Sequence, residues 1–332
     1  MNEKDYLKFE RLAKTFEQNF KITRCYAEYL ERYPEVITKE MIDTLTADGE
    51  IDKKEALVAI LSEIFALDFN NAEDRILIRD YLTPSVRLLD SKKYLNNPYY
   101  KNIKIPEIKD ANWEFRLEEY APYRGVIAND MEIFDDFKEI PPLGFFSERF
   151  KFPAILEGGN EWMTLTPIDL DTCEEAIELA HGKVVTFGLG LGYYAYMASE
   201  KEEVDSVTIV ELSPDVIRIF EKHILPQMPN KHKIKIVNAD AFEYAEKIMP
   251  KEKFDIAFVD TWRDASDGAP MYSKMKPLEY LSADTKFVYW IEGFLRSRLR
   301  AEEFSKIYTL IEEKSDKAPA KYEEIEKFLK NI

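Results

Sequence analysis

Cysteine is nearly missing from this chain. Its 332 residues carry two, Cys25 and Cys173, too few for a disulfide framework or a thiolate metal site. Histidine is almost as scarce, and His181, His223 and His232 have no metal-ligand spacing, so no metal is expected. No run of about 18 apolar residues occurs, which excludes a helical membrane span. The charged start, Met1-Asn2-Glu3-Lys4, lacks the apolar segment of a secretory leader, and a reduced cytoplasm is the expected compartment. Dense basic runs are absent too. The nearest, Arg296 with Ser297-Arg298-Leu299-Arg300, is followed by Glu302 and Glu303, and the formal net charge is −17. Proteins that grip nucleic acid set a basic surface against the phosphates. A small molecule or a protein is therefore the expected partner, and nucleic acid is not.

What is present describes a globular chain, 45% hydrophobic and 33% charged, long enough for about two domains. Leu7, Leu12, Phe16, Phe20, Tyr26 and Leu30 recur at near-helical intervals, so residues 3 to 33 are expected to be helical up to Pro34. Further helices are expected over Lys39 to Leu45 and Lys53 to Leu67. The acids Asp43, Asp48, Glu50 and Asp52 miss the spacing of a calcium loop and read as a solvated turn. From Tyr94 to Pro153 the texture becomes rich in Asn, Pro and aromatic residues, including Trp113, Tyr120, Tyr123 and Phe145-Phe146. Such rings either cover a pocket or pack between domains. Phe152 to Thr166 reads as a hairpin turning at Glu157-Gly158-Gly159-Asn160, and Asp171 to Ala180 as a helix. The expected divisions are a helical domain over 1–105, a connecting region with the hairpin over 106–168, and a ligand-binding domain over 169–332. The N-terminal helices would either gate the pocket or form a homodimer interface.

The most informative stretch is Lys183-Val-Val-Thr-Phe-Gly188-Leu-Gly190-Leu-Gly192-Tyr193. Val184, Val185 and Phe187 suit a strand covered on both faces. Alternate glycines then let the backbone turn tightly and approach a ligand closely. A dinucleotide fingerprint would need its third glycine at Tyr193, and no Gly-Lys-Ser/Thr follows as in nucleotide hydrolases. Three more strand-like runs follow, ending in Glu211, Asp240 and Asp260. Glu211 stands about 20 residues past the loop, where a Rossmann-like domain puts a carboxylate on ribose hydroxyls. The plainer role for Asp240 and Asp260 is to cap the next turn or helix.

The Gly-x-Gly-x-Gly loop followed by three acid-ended strands resembles the class I S-adenosylmethionine (SAM)-dependent methyltransferases. One position departs from that family: Thr186 stands where an acid usually precedes the first glycine. The resemblance, which covers about Phe152 to Glu292, implies an α/β fold with a Rossmann-like, doubly wound, mostly parallel sheet; the mainly helical N-terminal domain and the hairpin read above precede it. It implies SAM as cofactor, with Gly188, Gly190 and Gly192 on its methionine part, Glu211 with Leu212 on the ribose, Asp240 with Ala241 on the adenine, and Asp260 facing the reacting centre.

Asp260-Thr261-Trp262-Arg263-Asp264 is the expected place for chemistry. In-line methyl transfer to an OH or NH nucleophile needs alignment and a proton acceptor, for which Asp260 and Asp264 are the candidates. Trp262 offers a face to a sulfonium or a flat substrate, and Tyr193 is grouped with it as a substrate contact. An Arg263 to carboxylate ion pair ordering a surface loop is the alternative. Hairpin, helix, then glycine strand is also the layout of spermidine-synthase-like aminopropyltransferases, which use decarboxylated SAM. Here the loop Gly188-Leu-Gly-Leu-Gly192 lacks that family's acid, and the hairpin exit Met163-Thr-Leu-Thr-Pro167 lacks its Tyr-His-Glu. A fifth strand is expected over Lys286 to Glu292, then a helix near Arg296 to Phe304, a strand at Ile307 to Ile311 and a helix at Tyr322 to Leu329. A methyltransferase acting on a small molecule or protein is the leading expectation. An aminopropyltransferase and a non-catalytic SAM-binding module are the alternatives.

Overall fold

The computed structural model describes residues 1–110 and 112–332. They divide into two compact units, each assembled from separated stretches of chain. One contains Met1–Leu89, Ala121–Glu148 and Gly293–Ile332; the other contains Asp90–Tyr120 and Arg149–Glu292. These bounds cut across the divisions expected near 105 and 168.

In the first unit, helix Glu3–Arg32 is opened by Asn2, whose side chain accepts the Asp5 N–H at 2.9 Å. Its buried stripe runs through Phe9, Leu12, Phe16, Ile22, Tyr26 and Tyr29. Phe20, expected in that stripe, is turned past its edge and 68% exposed. The tail belongs to this unit for an apolar reason. Phe304, Ile307, Ile325 and Leu329 share a core with Phe9, Leu12 and Phe16, and the Phe16 and Phe304 rings stack at 4.1 Å. The expected strand at Ile307 to Ile311 does not form. Those residues lie inside the helix Glu292–Glu312, because Phe304 and Ile307 meet this core from successive turns. The expected last helix is present as Tyr322–Lys330. Two small sheets complete the unit: Val86–Leu89, Leu143–Phe146 and Gly125–Ile127 in one, Glu132–Ile133 with Glu139–Ile140 in the other.

The second unit contains a four-stranded antiparallel sheet, Ile108–Asp110, Trp113–Tyr120, Phe150–Glu157 and Asn160–Thr164. Its last two strands are the expected hairpin, turned by Gly158 and Gly159 at φ +59° and +86°, the left-handed pair a two-residue turn requires. After two short helices, Pro167–Asp171 and Glu174–Leu179, in place of the single one expected, comes the parallel sheet. Its strands are β1 (Gly182–Phe187), β2 (Val204–Glu211), β3 (Ile234–Asn238), β4 (Ile256–Val259) and β5 (Lys286–Tyr289), in the order β3-β2-β1-β4-β5. The mixed α/β class is as expected; the five-stranded parallel sheet is one of four sheets among the described residues, so the layout is more broken up than the single doubly wound sheet expected. The chain reverses its direction of travel between β1 and β4, which opens a crevice at their carboxyl ends. No helix among the described residues is long and apolar enough to cross a membrane.

Asp130 ties the tail helix to the first unit by accepting the Gly293 and Phe294 N–H groups at 2.7 and 2.9 Å. Asp130→Ala is expected to cost about 1–2 kcal/mol, the usual loss of a capping carboxylate, read as a lower denaturation midpoint with an unchanged slope.

Candidate functional site

The site begins where β1 and β4 end side by side. At Gly188 the backbone takes φ +98°, and a Cβ would collide with the carbonyl oxygen of Asp260. Only glycine permits that approach. The Gly188 N–H donates to Val210 O and the Asp260 N–H to Phe187 O, each at 2.9 Å, which locks the ends of β1, β2 and β4 together. The loop is also held from behind. Tyr99 O–H donates to Leu191 O at 2.5 Å, and its ring meets Tyr193 and Tyr196 edge-on at 5.7 and 5.4 Å. The aromatic stretch that begins at Tyr94 thus buttresses the helix after the glycine loop.

A cleft of about 580 Å³ opens at this edge, within the roughly 300–1,000 Å³ range of small-molecule sites. Gly188, Gly190, Glu211, Leu212, Asp240 and Ala241 line it, as do Asp260 and Trp262. Three other expected residues stand elsewhere. Gly192 starts the helix Tyr193–Ser199 and lies against Phe220. Tyr193 is buried with its hydroxyl accepting from Asn97 Nδ2 at 3.0 Å, and it lines a side chamber of about 20 Å³. Asp264 is exposed and caps the helix Ala265–Met275, accepting from Ser266 N and Ser266 Oγ at 2.6 and 2.5 Å. It serves as a helix cap and is not among the residues that line the cleft, because Ser-Asp follows it at capping distance. Arg263 forms no ion pair in that loop among the described residues; its backbone N–H donates to Asp267.

Each acid in the cleft has a distinct environment. Glu211 is buried and bridges the loop to the exit of β2, accepting the Leu189 N–H at 3.0 Å and the Ser213 N–H at 2.7 Å. Burial pushes its carboxyl up, against the pull of those amides. The two bonds fall on different oxygens, Oε2 and Oε1, and a carboxylate oxygen accepts more than one donor. Asp240 caps the helix Ala241–Lys247 through Oδ1, which accepts from Phe242 N and Glu243 N at 2.9 Å. Its other oxygen is not used by the cap. Asp260 has no side-chain hydrogen bond or ion pair among the described residues. Burial first, then the Asp169 and Glu211 charges, push its carboxyl up to about 8.

Sequence reasoning missed one wall. Glu161, Trp162, Met163 and Thr164 of the hairpin line the cleft, with Asp169, Met271 and Trp290. Asp169 accepts the N–H and Oγ–H of Thr166 at 2.7 and 2.8 Å, and burial raises its carboxyl to about 6. The pattern Thr166-x-x-Asp169 is a legible capping box, but nothing local marks it as part of a cleft. Six carboxylates, of Glu161, Asp169, Glu211, Asp240, Asp260 and Asp267, face the cavity against the single guanidinium of Arg263.

No family model matches the chain, and no curated protein matches it either. Among solved structures, it is similar to a spermidine synthase from Thermotoga maritima, at 19% identity and a TM-score of 0.31 over 48% of this chain and 59% of that one. It is similar to a spermidine synthase in complex with the transition state analogue AdoDATO, at 19% identity and 0.34 over 48% and 61%. A probable spermidine synthase from Corynebacterium glutamicum follows at 18% and 0.27 over 33% and 44%. The chain spans about three fifths of the length of the first two.

The raised carboxyls have a definite sign for stability. A folded-state pKa above the unfolded value means stability is fullest below pH 4 and is lost as pH rises through about 6 for Asp169 and about 8 for Asp260. Asp260→Asn is expected to raise the melting temperature of the free protein at pH 9 by several degrees more than at pH 5. An equal shift at both values would remove Asp260 as the buried acid.

Proposed function

We propose that this chain is a transferase that moves an alkyl group from an adenosyl sulfonium to an amine. The observation that carries this reading is the cleft itself, where, among the described residues, a glycine loop with no polar side chain and six acidic side chains are set against one guanidinium. Such a wall favours cations, and both a sulfonium donor and an amine acceptor are cationic in water. Gly190 is kept bare by the protein's own packing, since a Cβ there would collide with the Met163 side chain, so the fit to a donor rests on the acids and the indole. Glu211 suits the ribose hydroxyls, Asp240 the adenine amino group, and the ring of Trp262 a positively charged or flat group.

Of the two donors, the lining favours the one with no carboxylate, decarboxylated SAM, and therefore aminopropyl transfer. The amides of Gly188, Leu189, Leu191 and Gly192 are committed to Val210 O, Glu211, Met163 Sδ and Leu189 O. Little remains to hold a donor carboxylate. Methyl transfer from SAM is the second reading. It is favoured by Arg263, the one cation on the lining, and by the absence of an acid from Gly188-Leu-Gly-Leu-Gly192. In either case the donor supplies an electrophilic carbon, whose C–S bond breaks as the C–N bond forms, the sulfur leaving as a thioether. Asp260 receives the proton that nitrogen releases. Its carboxyl, raised to about 8, is matched to that task near neutral pH.

Calorimetry with decarboxylated SAM, SAM and S-adenosylhomocysteine tests the donor, and decarboxylated SAM is expected to bind tightest. Asp260→Asn is expected to slow transfer to a diamine by ~10²–10⁴-fold with little change in adenosine affinity. Binding of no adenosyl compound below millimolar concentration would overturn the proposal.

A further inference from the structure

We infer that Asp169 sets the ligand specificity of this cleft, its carboxylate receiving a primary ammonium group on the sulfur-side arm of the adenosyl ligand. This rests on the transferase reading above and adds to it a residue outside the glycine loop and outside the β4 exit.

Position is the first argument. Asp169 and Asp260 both line the main cleft and the side chamber behind it. The chamber, about 20 Å³, has room for one group the size of a water or an ammonium and no more. Its remaining walls include Leu165, Tyr194 and Phe258, and no Lys, Arg or His lines it. Inside the chamber these two acids meet no protein cation, so a ligand ammonium is the group that can balance them there.

The second argument is how Asp169 is held. Both Thr166 bonds fall on Oδ2, at 2.7 and 2.8 Å, so neither occupies Oδ1. A carboxylate anchored through one oxygen is oriented in advance for a donor at the other. The loop offers no competitor, since Leu189 and Leu191 stand between its glycines.

The third argument is independent of the acids. Trp262, 6% exposed, lines the same cleft, and among the described residues neither its indole N–H nor the buried Thr261 Oγ1 beside it has a hydrogen-bond partner. Buried donors left unpaired are costly, and those at a cleft mark where a ligand atom completes the bonding. The cleft thus asks for a ligand with a cationic end and a hydrogen-bond acceptor.

The test compares two thioethers of 5′-thioadenosine, both without a sulfonium charge, one carrying an aminopropyl arm that is an ammonium at neutral pH and the other an uncharged propyl arm. The wild-type protein is expected to bind the amine roughly 10–100-fold tighter, the worth of one charged hydrogen bond. Asp169→Asn is expected to erase that gap and leave the propyl affinity unchanged. Thr166→Val, which keeps the carboxylate, keeps the gap, and Asp169→Glu keeps it at reduced size, so the measurement stands even if the amide variant fails to fold. A gap that survives Asp169→Asn, or equal losses for both ligands in that variant, would overturn the assignment to Asp169. Propyl thioether binding with no gap in the wild type would overturn the ammonium subsite while leaving the transferase reading intact. Failure of both thioethers to bind would sink the transferase reading and this inference together.

Discussion

The approach of Gly188 to the carbonyl of Asp260 is the constraint on which the cleft depends. Two parallel strands ordinarily leave a crevice at their carboxyl ends when the chain reverses direction between them. Here the crevice is sharpened because the residue after β1 has no side chain to hold β4 away. The same approach brings Asp260 next to the loop, and hydrogen bonds from Gly188 to Val210 and from Asp260 to Phe187 hold three strand ends together. Glu211 then reaches back to the Leu189 amide and keeps the loop's first turn against β2. The backbone closure and the electrostatics of the site are thus one feature, since the carboxylates gather where the strands end.

That gathering is expensive in the free protein. Glu211, Asp169 and Asp260 are all raised from their ordinary values, with burial the largest cause in each. Natural interiors rarely keep like charges together without a compensating cation, and the cleft supplies only Arg263 on its exposed rim. On the proposal made above, a positively charged ligand would recover the cost of desolvating the acids. It is the same physical logic by which enzymes obtain a proton acceptor that titrates near neutrality.

Much of the second unit was legible in the sequence because its signals are local. Val184, Val185 and Phe187 form a run that can only be comfortable when covered on both faces, and alternate glycines announce a turn. Glu211, Asp240 and Asp260 each close an apolar strand, so their arrival at one edge follows once the strands are parallel. The hairpin was equally plain from Gly158-Gly159. Asp264 stands off the cleft lining as a helix cap, because Asp-x-x-Asp at a helix start serves the helix's own amides, whatever lies nearby. Ile307 to Ile311 was misread as a strand because a short apolar run does not distinguish the two periodicities, and the deciding partners, Phe9 and Phe16, lie some 300 residues earlier in the chain.

By itself the sequence determined the mixed α/β class, the glycine bend, the acid-ended strands and the helical character of the first 64 residues, since each rests on spacing within one element. The tertiary structure alone decided which acids share a cavity. It brought Glu161 and Asp169, from the hairpin and the helix after it, to face Asp260, and it placed Tyr193 and Asp264 outside the main cleft. The physical reason is that a cavity's wall is made by elements distant in sequence. Their meeting is set by packing and strand order, which no single stretch of chain encodes.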